Sequence, residues 1–121
     1  MTDITETIFE MAALDPKKAL ELAKNSPKNS LPEKRLLELR DLGNYNQTSL
    51  IEQLLLEHYP KFNNLKIIIQ SKDYGNKLKA KTILLEKHSK LLSKIILNDF
   101  MNDSDRDIRR KAKNVHIKRF G

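Results

Sequence analysis

Apolar residues recur along this chain at three- and four-residue intervals, in short blocks separated by polar turns. Ile4, Ile8, Met11 and Ala12 share one stripe and predict a helix over residues 4–14, opened by Asp3 with Glu6 in capping-box spacing. Asp15-Pro16 reads as a restart, because aspartate accepts from free helix N–H groups and proline suits the first helical position. Ala19, Leu20, Leu22 and Ala23 make a short second helix that ends at Asn25-Ser26-Pro27. Ser30 and Glu33 repeat the capping spacing ahead of Leu36, Leu37 and Leu39, and Gly43 is the expected left-handed stop. Residues 44–48 read as a polar turn. Ser49 and Glu52 then cap a helix carrying Leu50, Leu54, Leu55 and His58, which Tyr59-Pro60 ends.

The run Leu65-Lys66-Ile67-Ile68-Ile69-Gln70 is β-branched enough for a strand, yet no second strand exists to pair with it. A helix is therefore expected, with a break at Tyr74-Gly75-Asn76. Three helices follow. One spans about residues 76–88 around Ala80, with Leu78, Ile83 and Leu85 on its apolar side. The next opens at Ser89 and carries Leu91, Leu92, Ile95, Ile96, Phe100 and Met101; as the most apolar helix, it is expected to be the most buried. Emptying its Ile95 position to Ala is expected to cost about 2–5 kcal/mol. The last opens at Ser104 as N-cap and buries Ile108, Ala112 and Val115. The fold class is all-α: seven or eight antiparallel helices in one domain over residues 1–121, as a bundle or a short α-solenoid.

A repeat favours the solenoid. Asp73 to Leu85 aligns without gaps on Asp105 to Ile117 at an offset of 32, placing Lys77 on Arg109, Lys81 on Lys113 and Ala80 on Ala112. The stretch from Ile96 through Asn98-Asp99-Phe100-Met101-Asn102-Asp103-Ser104-Asp105 to Ile108, Arg109 and Ala112 resembles the middle of a HEAT repeat. That family has an apolar first helix, an Asp-rich turn, and a second helix opening with an apolar residue, an Arg and an Ala. The resemblance covers residues 90–117 well, residues 60–88 in part, and the chain before residue 43 only in its helix–turn–helix grammar. Val115-His116-Ile117 departs from the small-residue ending of that family. The resemblance implies a non-catalytic interaction scaffold with a macromolecular, most readily protein, partner. HEAT-like DNA glycosylases exist, but this chain is short for one and lacks the tryptophan on which such pockets rely.

Charge sharpens the picture. The net charge of +7 is unevenly spread: residues 1–71 carry 9 Lys/Arg against 10 Asp/Glu, and residues 72–121 carry 14 against 6. The bases at equivalent repeat positions, Lys77, Lys81, Arg109 and Lys113, together with Arg110, are the candidate partner-binding face. They suit an acidic protein segment or, as the alternative, the phosphates of a nucleic acid. Lysine outnumbers arginine 17 to 6, which is poorly suited to bidentate base readout, and few aromatics interleave for stacking.

Catalytic, cofactor and metal chemistry find little support. Cysteine is absent, which removes disulfides and thiolate sites and fits a cytoplasmic setting. The N-terminal residues lack a signal-peptide pattern, and apolar runs of three or four residues are far too short for a membrane span. Asp103-Ser104-Asp105-Arg106-Asp107 lacks the Gly and Glu of a calcium loop, with Ile108 and Asn114 in their places. His58, His88 and His116 lie too far apart for local metal pairing. Glu38, Glu52 and Glu57 read as solvated helix carboxylates. No nucleophile elbow or phosphate loop is found. No enzyme, cofactor or metal is expected.

Overall fold

In the computed structural model, which describes residues 3–121, eight α-helices and two short 3₁₀ turns account for the ordered elements, and no strand occurs among the described residues. The helices are α1 (Ile4–Leu14), α2 (Pro16–Lys24), α3 (Glu33–Arg40), α4 (Tyr45–His58), α5 (Phe62–Ile68), α6 (Tyr74–Lys87), α7 (Lys94–Met101) and α8 (Arg106–Phe120). They form two compact units, Met1–Pro60 and Lys61–Gly121. None is long and apolar enough to cross a membrane.

The helices come in pairs on one plan. First helices start at residues 4, 33, 62 and 94, and second helices at 16, 45, 74 and 106, so both series step by 29, 29 and 32. Every second helix opens on a side-chain cap: Asp15 accepts from the Lys18 N–H, Asn44 from Gln47, Asp73 from Asn76 and Asp105 from Ile108. An Asx side chain can fold back on the N–H three residues ahead, satisfying a donor the helix leaves open. That one local device sets the frame of each pair.

Unit 1 packs α1 on α2, α3 and α4, and α4 on α2 and α3. α4 is the most buried helix: Leu50, Ile51, Leu54, Leu55 and Leu56 enter the core on a broad face, and Glu52 goes in with them. Arg40 meets Glu52 there, donating through Nε at 3.0 Å and Nη2 at 2.9 Å to Oε2. Glu52 is thus not the solvated carboxylate expected from sequence, because α4 buries more of its circumference than its leucines alone suggest. Arg35 joins α3 to α1 through Asp3 at 3.0 Å and Glu6 at 3.4 Å. Burial by itself raises the Asp3 carboxyl; the Arg35 hydrogen bond and the Thr5 N–H outweigh it, holding Asp3 below its ordinary value.

Several boundaries differ from the sequence reading. α4 begins at Tyr45, capped by Asn44 with Gln47 reciprocating, so residues 44–48 are not a turn and Ser49 is not a cap. Gln47 also donates to the Phe9 carbonyl at 3.0 Å, a tertiary bond that favours this start. Ser30 turns back to the Pro27 carbonyl within a 3₁₀ turn, and α3 starts after Pro32 without a side-chain cap. Gly43 is not left-handed, since among the described residues only Gly121 has positive φ. Its small size matters instead: a Cβ there would lie 2.8 Å from Phe9 Cε2 and 2.6 Å from Gln47 Cβ.

Unit 2 packs α5 on α6, α7 on α8, and α6 on α8. Residues 65–70 are helical to Ile68, as their lack of a pairing strand requires. The break then falls before Asp73, whose cap lets α6 run through Tyr74-Gly75-Asn76. Leu65, Ile68, Ala80, Leu84, Leu92, Leu97, Phe100, Ile108 and Ala112 are closed to solvent. The helix expected from Ser89 is shorter. Ser89–Leu91 is a 3₁₀ turn, Leu92 is extended and buried, and α7 starts after Ser93, whose side chain caps Ile96. Arg119 from α8 fixes this segment by donating Nη1 to the carbonyls of Ser89, at 2.7 Å, and Leu92.

That shift turns the apolar residues of α7. Leu97 and Phe100 face inward, Ile96 is half-buried, and Ile95 and Leu91 are 82% and 60% exposed. α7 is therefore not the most buried helix, and Ile95 is not a core position. Val115 is half-buried rather than closed. Asp105, not Ser104, caps α8.

Candidate functional site

The 32-residue echo in unit 2 extends to individual contacts. At the α5–α6 turn the Asp73 N–H donates to Ser71 Oγ at 2.9 Å; at the α7–α8 turn the Asp105 N–H donates to Asp103 Oδ1 at 2.8 Å. Phe62 meets His88 at 6.1 Å, and their equivalents Lys94 and Phe120 meet as a cation over a ring at 4.7 Å. Leu65 and Leu97, Ile68 and Phe100, Asn76 and Ile108, and Ala80 and Ala112 are buried pairwise. Residues 61–88 and 93–120 thus build the same object twice.

On this frame Lys77 and Lys81 occupy on α6 the places that Arg109 and Lys113 occupy on α8. Lys81 and Arg109 converge on one residue. Lys81 Nζ pairs with Asp103 Oδ2, and Arg109 Nη1 donates to the Asp103 carbonyl at 2.8 Å and the Ser104 carbonyl at 3.0 Å. Both side chains of the ion pair are largely covered, at 14% for Lys81 and 8% for Asp103. Burial alone raises the Asp103 carboxyl, but the Lys81 ammonium, the Asp105 N–H and the field of Lys77 together hold it below its ordinary value. Two of the five candidate bases therefore bind the α7–α8 turn as well as contributing positive charge.

Arg106, Arg110 and Lys113 are more open. Arg106, Arg109, Arg110, Lys113, Asn114 and Ile117 follow helical spacing along α8 and line a shallow depression of ≈ 470 Å³. Lys113 is exposed and has no ion-pair partner among the described residues. Arg110 reaches Asp107 at 3.5 Å, both exposed, a pairing of little energy. Ile117, 64% exposed, sits in the same depression. Lys77 and Lys81 instead line a groove of ≈ 590 Å³ with Ile69, Ile95, Ile96 and Phe100. The five sequence-selected bases thus fall on two surfaces of unit 2 that meet at the Asp103 turn.

Divided by unit, the charge contrast is larger than sequence halves indicated. Unit 1 carries 7 Lys/Arg against 10 Asp/Glu, a net of −3, and unit 2 carries 16 against 6, a net of +10. Sequence reasoning missed Asp103 as the organising anion. Its cue was present: it stands where Ser71 stands in the preceding pair, a difference at an otherwise equivalent position. Among the described residues, no three His, Asp or Glu side chains gather as a metal site. His58 contacts Tyr59, His88 contacts Phe62, and His116 contacts Phe120. Comparison of this chain with protein-family models, with curated proteins and with solved structures finds no match.

Proposed function

We propose that this chain is a non-catalytic interaction module, built of HEAT-like helix pairs, whose α8 face receives an acidic segment of a protein partner. One observation carries the reading. Lys81 on α6 holds an aspartate of a neighbouring turn, and Lys113, its equivalent on α8, is open. The flanking equivalents agree: Leu85 on α6 is 4% exposed, whereas Ile117 on α8 is 64% exposed. A face that offers a carboxylate-binding lysine beside an apolar residue suits a protein surface. The absence of cysteine suits an intracellular setting.

Nucleic-acid binding is the second reading, favoured by the net charge of +10 on unit 2 and the cations along α8. Titrating the full chain with labelled polyglutamate and with a labelled duplex, at roughly 50 and 200 mM salt, separates the two. The protein reading expects polyglutamate to bind and the Arg110→Glu, Lys113→Glu double variant to lose it while folding normally. Tighter binding of the duplex, with a steep salt slope and the same sensitivity to the double variant, selects the second reading. Binding of neither polymer removes both.

A further inference from the structure

The groove beside α7 contains a residue that the fold does not require. Ile95 is 82% exposed, and its equivalent in the preceding helix pair is Asn63, also exposed. The helix-pair plan places this position in solvent, and a polar residue satisfies it once already. Ile95 nevertheless borders Ile69 and the half-buried Ile96, with Lys66 and Lys77 on the same rim. The Lys77 side chain makes no hydrogen bond or ion pair among the described residues. Its charge reaches Asp103 only through space.

We infer that this groove is a docking site for an acidic amphipathic helix of another protein. The apolar face of that helix covers Ile95, Ile96 and Ile69, and its flanking carboxylates meet Lys77 and Lys66. Exposed apolar surface rimmed by charge marks an interaction site, and opposite charge fixes the sign of the partner. The fold selects a helix as the bound form. No strand edge exists among the described residues for a peptide to extend, and the one ring lining the groove, Phe100, is 1% exposed, so an extended proline-rich segment has no aromatic floor. Of the modes that use an apolar groove, the one left is a helix laid in it. A phosphate backbone carries no apolar face to cover Ile95 and Ile96. A second copy of this chain is disfavoured by its own net charge of +7. The groove is a different surface from the α8 face, so each can fail alone.

The test uses the full chain and a labelled helical peptide of about 15 residues with leucines at i, i+3, i+4 and i+7 flanked by glutamates. Two twins accompany it, one with serine for leucine and one with lysine for glutamate. The parent peptide is expected to bind, to shift the methyl resonances of Ile69, Ile95 and Ile96, and to lose at least about tenfold in affinity with Ile95→Asn or Lys77→Ala. Ile95→Asn copies the residue of the equivalent position, so the variant is expected to fold. Either twin binding as tightly as the parent, shifts confined to α8, or full affinity for Ile95→Asn each overturns the inference. Loss of binding in Lys113→Glu with both groove variants silent overturns it while leaving the α8 reading intact. Absence of binding by the parent peptide also overturns it. So does self-association of the unliganded chain that Ile95→Asn abolishes, since a second copy would then be the occupant.

Discussion

Asp73 and Asp105 stand 32 residues apart and make the same bond in the same place: each Oδ1 accepts, at 3.0 Å, the N–H three residues ahead. Each thereby opens the second helix of its pair, and the same relation holds at Asp15 and Asn44 in unit 1. This local device keeps the four pairs in step.

The caps give the first prediction. Asp105→Ala is expected to lower stability by about 1 kcal/mol in chemical denaturation, and Asp15→Ala by a similar amount. Ser104→Ala is expected to move the midpoint little, because the Ser104 side chain is not the cap of α8. A larger loss at Ser104 than at Asp105 would contradict the cap assignment.

A second concerns α7. Leu97 is fully buried, and Leu97→Ala is expected to cost about 2–5 kcal/mol, the usual range for emptying an aliphatic core site. Ile95→Asn is expected to stay within about 0.5 kcal/mol of the parent protein, as exposed substitutions do. Equal losses at the two sites would mean that α7 is rotated from the orientation described.

Acid stability supplies the third. Asp103 and Asp3 are both held below the ordinary carboxylate value when folded, so the folded state resists protonation there more than the unfolded chain does. Their contribution is fully present above the unfolded carboxylate value of about 4 and disappears as pH falls through their lower folded values. Asp103→Asn should therefore destabilise the protein at neutral pH, by about 2 kcal/mol for a largely covered pair, and should flatten the acid limb of the stability curve. Thermal melts of both proteins between about pH 2 and 7 measure this. Parallel curves would refute it.

Gly43 provides the fourth. Gly43→Ala brings a methyl against Phe9 and the Gln47 side chain that closes the α4 cap, and is expected to cost about 1–3 kcal/mol. A stabilised variant would show that reduced freedom of the unfolded chain outweighs the crowding.

The sequence by itself determined the class of the fold and most of its helices. Three- and four-residue apolar spacing, Asp15-Pro16, the lack of a partner strand for residues 65–70 and the echo of Asp73 in Asp105 are local facts, and local hydrogen bonding and burial act on them directly. It also showed that positive charge gathers in the C-terminal part of the chain and which bases occupy equivalent places. Tertiary structure alone decided among competing local options. Ser89 and Ser93 are both plausible caps, and Ser93 prevails because Leu92 is buried in an extended conformation while Arg119 takes the carbonyls of Ser89 and Leu92. Asn44 prevails over Ser49 where Gln47 also reaches the Phe9 carbonyl. Those choices turned Ile95 outward, and packing likewise drew Glu52 into the core beside Arg40. Two of the candidate bases came to rest on Asp103 for the same reason. A cap or an ion pair is chosen by what packs around it, and residues distant in sequence supply that packing.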